Sequence, residues 1–116
     1  MTNLKMKKLL LVEDDPIFRR RFRRELAKSF EVHEATNLQE TIDLLKSHQY
    51  DYILSDMHLT RENKAEGLEV VACCKAVQTN AVVKAMSSDI DLKQKAIHAG
   101  AESFHEKPFD IRLIAF

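Results

Sequence analysis

Glycine is nearly missing from this chain: Gly67 and Gly100 are its only two, and neither follows the first apolar run. Glycine-rich phosphate loops depend on that residue's backbone freedom, so a nucleotide-binding loop of that kind is excluded. Cysteine is equally scarce, with Cys73 and Cys74 alone, so there is no disulfide framework. Neighbouring side chains on a helix point roughly 100° apart, which leaves this pair badly placed to bond or to share a metal. They read instead as two small apolar residues, one of them buried. An excess of one charge is lacking too, since Lys+Arg and Asp+Glu stand at 18 each. The balance favours neither nucleic acid nor a membrane as the main partner. No apolar stretch nears the roughly 18 residues of a membrane span, and the N-terminus has no signal-peptide core. The expected location is therefore the cytoplasm.

What is present suits one compact domain over residues 1–116, with hydrophobic content of 45% for its core. Short apolar runs alternate with helix-length periodic segments, the pattern of βαβ units and a parallel sheet. Lys8–Val12 is apolar after its first residue, as a strand covered on both faces would be. Asp15 is a natural N-cap with Pro16 at the first helical position, and Phe18, Phe22 and Leu26 form a buried stripe. Phe30–Ala35 alternates, predicting a strand nearer the sheet edge. Asn37 with Glu40 opens the next helix, whose stripe is Leu38, Ile42 and Leu45. Tyr52–Ser55 is the third strand, a helix runs from about Leu68 to Val77, and Ala81–Met86 is the fourth strand. Asp89 or Asp91 begins a helix that Gly100 stops. Ala101–Glu106 makes a fifth strand, and a last helix over 110–116 has barely two turns.

The strand ends carry the chemistry. Leu9–Val12 leads into Glu13-Asp14-Asp15, Tyr52–Leu54 into Ser55-Asp56, Ala81–Met86 into Ser87-Ser88, and the fifth strand into Lys107-Pro108. In an open α/β sheet these ends line one edge, where such folds place their sites. Glu13, Asp14 and Asp56 can supply the carboxylates that Mg²⁺ (or Mn²⁺) needs beside its waters. Grouping three negative charges is unfavourable by roughly 1–4 kcal/mol per close pair unless a cation sits among them. Phosphoryl transfer needs an in-line nucleophile and cover for the equatorial oxygens. Asp56 is the best nucleophile, a metal on Asp14 and the Lys107 ammonium would cover the charge, and Ser87 would hydrogen-bond one oxygen after transfer.

Leu-Leu-Leu-Val-Glu-Asp-Asp, Tyr-Asp-Tyr-Ile-Leu-Ser-Asp, Met-Ser-Ser, Ala-Gly-Ala-Glu-Ser-Phe and Lys-Pro-Phe together resemble the receiver domain of two-component response regulators. The likeness covers almost the whole chain, in order and at suitable spacings. It implies a flavodoxin-like, doubly wound, five-stranded parallel sheet in the order 2-1-3-4-5, flanked by helices, with a shortened last helix here. It also implies Asp56 as phosphoacceptor, Glu13 and Asp14 as the acidic pair, and the His58 backbone carbonyl as a further metal ligand. Ser87 would be the switch hydroxyl, Phe104 the switch aromatic, Lys107 the phosphate-pairing lysine, and Lys107-Pro108 a cis bond. The implied partners are a histidine kinase or histidine phosphotransfer protein and an output domain beyond residue 116. The domain would be a monomer, or a weak phosphorylation-dependent dimer through the face of the fourth helix, fifth strand and fifth helix.

Some features depart from that pattern. The loop from His58 to Gly67 is about three residues longer than the resemblance implies, a length that is thermodynamically inexpensive. Lys84 interrupts the fourth strand and is expected to snorkel outward rather than pair with an acid. Arg19, Arg20, Arg21, Arg23 and Arg24 make a strongly basic first helix, either a solvated face or a dock for an acidic partner. No nucleic-acid-binding motif accompanies it, so that patch is not read as a nucleic-acid site. His33, His48, His58, His98 and His105 show no metal-ligand spacing and read as surface or interface residues. Two rival readings are a receiver-like interaction module that signals without phosphorylation and a small aspartyl-phosphate phosphatase. The phosphatase would need an Asp-x-Asp where this chain has Glu-Asp-Asp.

Overall fold

A computed structural model describes residues 6–58 and 66–116. Its strands are β1 (Lys8–Val12), β2 (Glu31–Ala35), β3 (Tyr52–Asp56), β4 (Val82–Ser87) and β5 (Ser103–Glu106). Between them lie α1 (Pro16–Leu26), α2 (Leu38–Ser47), α3 (Glu66–Val77) and α4 (Lys93–Ala99), the last entered through a 3-10 turn at Ile90–Leu92. All pairings are parallel and the sheet order is β2-β1-β3-β4-β5. This is the doubly wound, flavodoxin-like α/β fold. Most of the long loop after His58 (59–65) lies outside the described residues.

The sheet is buried on both faces because β1 is apolar at every central position. Leu10 and Val12 face one side with Ile53, Val70, Val71, Val83 and Ala85, under α2, α3 and α4. Leu9 and Leu11 face the other with Phe22, Leu26, Leu54 and Met86, under α1. Each such side chain contributes about 1.5–3 kcal/mol on leaving water. The caps form as expected in kind. Asp15 accepts from the Ile17 and Phe18 amides, and Asn37 from the Glu40 amide. Glu40 differs in detail: its carboxylate accepts from the amide and hydroxyl of Thr36, not from Asn37. Gly100 ends α4 at φ 120°, a conformation that favours glycine.

Two expectations are corrected. The last helical element is one 3-10 turn, Ile111–Leu113, capped by Asp110, and Ile114 is already extended. A helix of two turns gives few hydrogen bonds for a costly nucleus. Here the chain instead brings Phe116 onto Phe30 and Tyr52, with ring centroids 5.2 and 5.3 Å apart. Lys84 does not snorkel: it is 5% exposed, donates to Ser103 Oγ at 3.3 Å and lies 5.7 Å from the Phe116 ring centroid. Burial without an acidic partner is tolerated there because a hydroxyl and an aromatic face stand in for water.

Candidate functional site

Parallel register sets the strand ends as a stepped edge. Val12 pairs with Ser55, so Glu13 and Asp56 lie level one residue beyond. Asp56 pairs with Met86, and Ser87 with Glu106, so Ser87 and Lys107 each stand one step further along. Backbone bonds lock the edge: the Met57 amide donates to the Met86 carbonyl and the Lys107 amide to the Ser87 carbonyl, both at 2.8 Å. Arg19 Nη1 donates to the Glu13 and Asp14 carbonyls at 3.1 and 3.3 Å, tying the β1–α1 connection to α1.

Glu13, Asp14 and Asp56 each present an oxygen within 4.8 Å of the others. Glu13 is fully buried and Asp56 nearly so, while Asp14 is exposed. Lys107 Nζ donates to Asp56 Oδ2 at 3.3 Å and makes an ion pair with Glu13 Oε1. The His58 amide donates to Asp56 Oδ1 at 3.2 Å. Burial, then the neighbouring Asp56, push the Glu13 carboxyl up to about 8 against the pull of Lys107. Burial and Asp56 likewise raise Asp14. Among the described residues these three acids share one ammonium, and Glu13 Oε2 is buried with no hydrogen-bond partner. That orphaned oxygen in an oxygen-only donor set fits a hard divalent cation such as Mg²⁺.

An open cavity of about 510 Å³ fronts the cluster, lined by Asp14, Asp15, Phe18, Asp56, His58, Ser88, Lys107 and Pro108. The Lys107-Pro108 bond is cis. Ser87 is fully buried and its hydroxyl accepts from the Asp89 amide at 3.0 Å, so Ser88 rather than Ser87 faces the cavity. Phe104 is half-buried against the α2–α3–α4 core. Thus Glu13, Asp14, Asp56 and Lys107 come together, whereas Ser87 and Phe104 stand behind them.

Sequence reasoning missed two arrangements. Phe18, read as part of a core stripe, also places its ring centroid 4.4 Å from Lys107 Nζ. Its position just inside the helix that follows Asp14 was the available signal. The rings of His33 and His48 meet at 4.5 Å, and His33 Nδ1 is 2.7 Å from the Tyr50 hydroxyl. No local spacing announces that contact between an edge strand and the end of α2.

The family model of the response regulator receiver domain matches residues 9–115. The chain is 28% identical over 110 residues to the probable C4-dicarboxylate response regulator DctR of Priestia megaterium, covering 92% of this chain and 48% of that one. It is 31% identical over 103 residues to the cell cycle transcriptional regulator CtrA of Caulobacter vibrioides, covering 88% and 44%. The chain thus spans about half the length of these curated relatives. A response regulator from Burkholderia pseudomallei, crystallised with a phosphorylated aspartic acid, calcium ion and citrate, shares the fold at TM-score 0.82. That likeness has 24% identity and covers 91% of this chain and 62% of that one. The sheet order, the acid cluster at its carboxyl edge and a family match over nearly the full length lead to one conclusion: this chain belongs to the receiver domains of two-component response regulators.

Proposed function

We propose that the domain takes a phosphoryl group on Asp56 from a histidine kinase or histidine phosphotransfer protein, in the cytoplasm, and relays the change through its α4–β5 surface. The observation that carries this reading is the placement of Lys107 Nζ on both Asp56 and Glu13 beside an unpartnered Glu13 oxygen. An Asp56 oxygen attacks phosphorus, an O–P bond forms, and the P–N bond to the donor imidazole breaks. The electron pair stays on that imidazole nitrogen, which takes up a proton. Lys107 faces charge on the transferring oxygens. Glu13, Asp14, Asp56 and the His58 carbonyl would hold Mg²⁺ (or Mn²⁺), which when bound supplies further charge neutralisation.

Ser87 then exchanges the Asp89 amide for a phosphoryl oxygen, and Phe104 turns into the space it leaves. Phosphate acts by favouring one of two arrangements that the domain already samples. An output domain in the full protein would read that surface, with the receiver a monomer or a weak phosphorylation-dependent dimer. Ile17, Arg20, Arg21 and Arg24 are exposed on α1, whose first turn borders the site, and suit a donor with an acidic face. Incubation with acetyl phosphate, with Mg²⁺ or with a chelator, tests the reading by intact mass. One added phosphoryl group with Mg²⁺ and none with chelator is expected; no adduct in either overturns it.

A further inference from the structure

We infer that Phe18 is a positioning residue for Lys107, holding its ammonium beside Asp56 by the face of the ring; the consequence for phosphoryl uptake rests on the reading of Asp56 above. Lys107 reaches the acids on a flexible four-carbon stem, and its side chain is only 11% exposed. Two of its neighbours are carboxylates, Asp56 at 3.3 Å and Glu13. A third is the Phe18 ring, with its centroid 4.4 Å from Nζ, well inside the roughly 6 Å range of a cation–π contact. Loss of the ring would open that side of the ammonium to the cavity that Phe18 helps to line.

The ring is itself held. Asp15, the N-cap of α1, accepts from the Phe18 amide at 3.4 Å and fixes the first helical turn. Phe18 stands edge-on to Phe22, with centroids 5.6 Å apart and planes at 83°. Phe22 is 4% exposed and packs at 5.3 Å on Phe109, two residues past Lys107. This aromatic row links α1 to the segment that carries the lysine. The core alone asks only for an apolar side chain at position 18, which leucine would satisfy. The π-face is the additional property, and it lies against the ammonium that pairs with the acid cluster. A fixed ammonium meets an incoming phosphoryl group without first being ordered, and such positioning lowers a barrier.

The test compares wild type with Phe18→Leu, which keeps apolar volume, and Phe18→Tyr, which keeps the ring. The Lys107 ε-methylene proton resonances report position: ring-current shifted in wild type and Phe18→Tyr, and near ordinary lysine values in Phe18→Leu. Phosphoryl uptake from acetyl phosphate with Mg²⁺ reports the consequence, with Phe18→Leu slower by roughly two- to thirty-fold, the range of a cation–π contact, and Phe18→Tyr close to wild type. Unshifted Lys107 resonances in wild type, or uptake by Phe18→Leu as fast as that of a wild type that does take up phosphate, overturns the inference. A wild type inert to acetyl phosphate whose Lys107 resonances are shifted, and lose the shift in Phe18→Leu, overturns the Asp56 reading while the positioning by Phe18 stands.

Discussion

Lys107 Nζ lies 3.3 Å from Asp56 Oδ2 and also pairs with Glu13, an acid that is itself fully buried. The Lys107 ammonium thus pairs with two buried acids, with Asp14 close by. Replacing it separates its two duties. Lys107→Ala is expected to bind Mg²⁺ several-fold more tightly, because a competing cation has left the cluster. Phosphoryl uptake from acetyl phosphate should nevertheless fall, because the group facing the transferring oxygens is gone. Calorimetric Mg²⁺ titration and an uptake time course check the two halves; unchanged or weakened Mg²⁺ binding would contradict the shared-cation account.

Gly67 sits against the backbone of Met57, the residue that follows Asp56. A Cβ there would overlap the Met57 carbonyl oxygen, Cα and carbonyl carbon. Backbone cannot swing aside like a flexible side chain, so Gly67→Ala must move either α3 or the segment that carries His58. A loss of about 1–3 kcal/mol in urea unfolding is expected, accompanied by weaker Mg²⁺ binding. Glu69→Ala, on an exposed position of the same helix, should leave both nearly unchanged and serves as the control.

The pH dependence follows from a hydrogen-bond chain between β4 and β5. Lysine can only donate, so Lys84 donates a hydrogen bond to Ser103 Oγ, and the same hydroxyl is hydrogen-bonded to His105 Nε2 at 3.0 Å. With the Lys84 ammonium at the other end of this chain, the neutral imidazole is favoured. Burial, and then the Lys84 charge, hold the His105 pKa below its ordinary value. The folded state therefore binds this proton less readily than the unfolded chain, whose histidines titrate near 6.5. Stability from this group is complete above about pH 6.5 and is lost as pH falls from there towards the lowered folded value. His33, lowered by burial and by His48, adds a loss of the same sign. Chemical unfolding between pH 5 and 8 should show the decline, and His105→Asn should flatten part of it. An unaltered slope in that variant would contradict the neutral-imidazole chain.

Much of this architecture was legible because its signals are local. Lys8–Val12 reads as a doubly covered strand from its own composition, and Asp15-Pro16 marks where α1 begins. Once the strands are parallel, the convergence of Glu13, Asp14, Asp56 and Lys107 follows from register alone. What escaped depends on contacts between distant segments. The apolar residues Ile111, Leu113 and Ile114 suggested a helix, but Phe116 gains more by lying on Phe30 and Tyr52. Lys84 is buried because Ser103 and Phe116 meet it, neither of them near it in sequence.

The most direct test of the central claim is where the phosphoryl group goes. After treatment with Mg²⁺ and acetyl phosphate, borohydride reduction converts a phosphorylated aspartate to homoserine, which peptide mass spectrometry can assign to one position. The account predicts homoserine at position 56 in the wild type and no adduct on Asp56→Asn. Homoserine at another aspartate, or an undiminished adduct on Asp56→Asn, would contradict it.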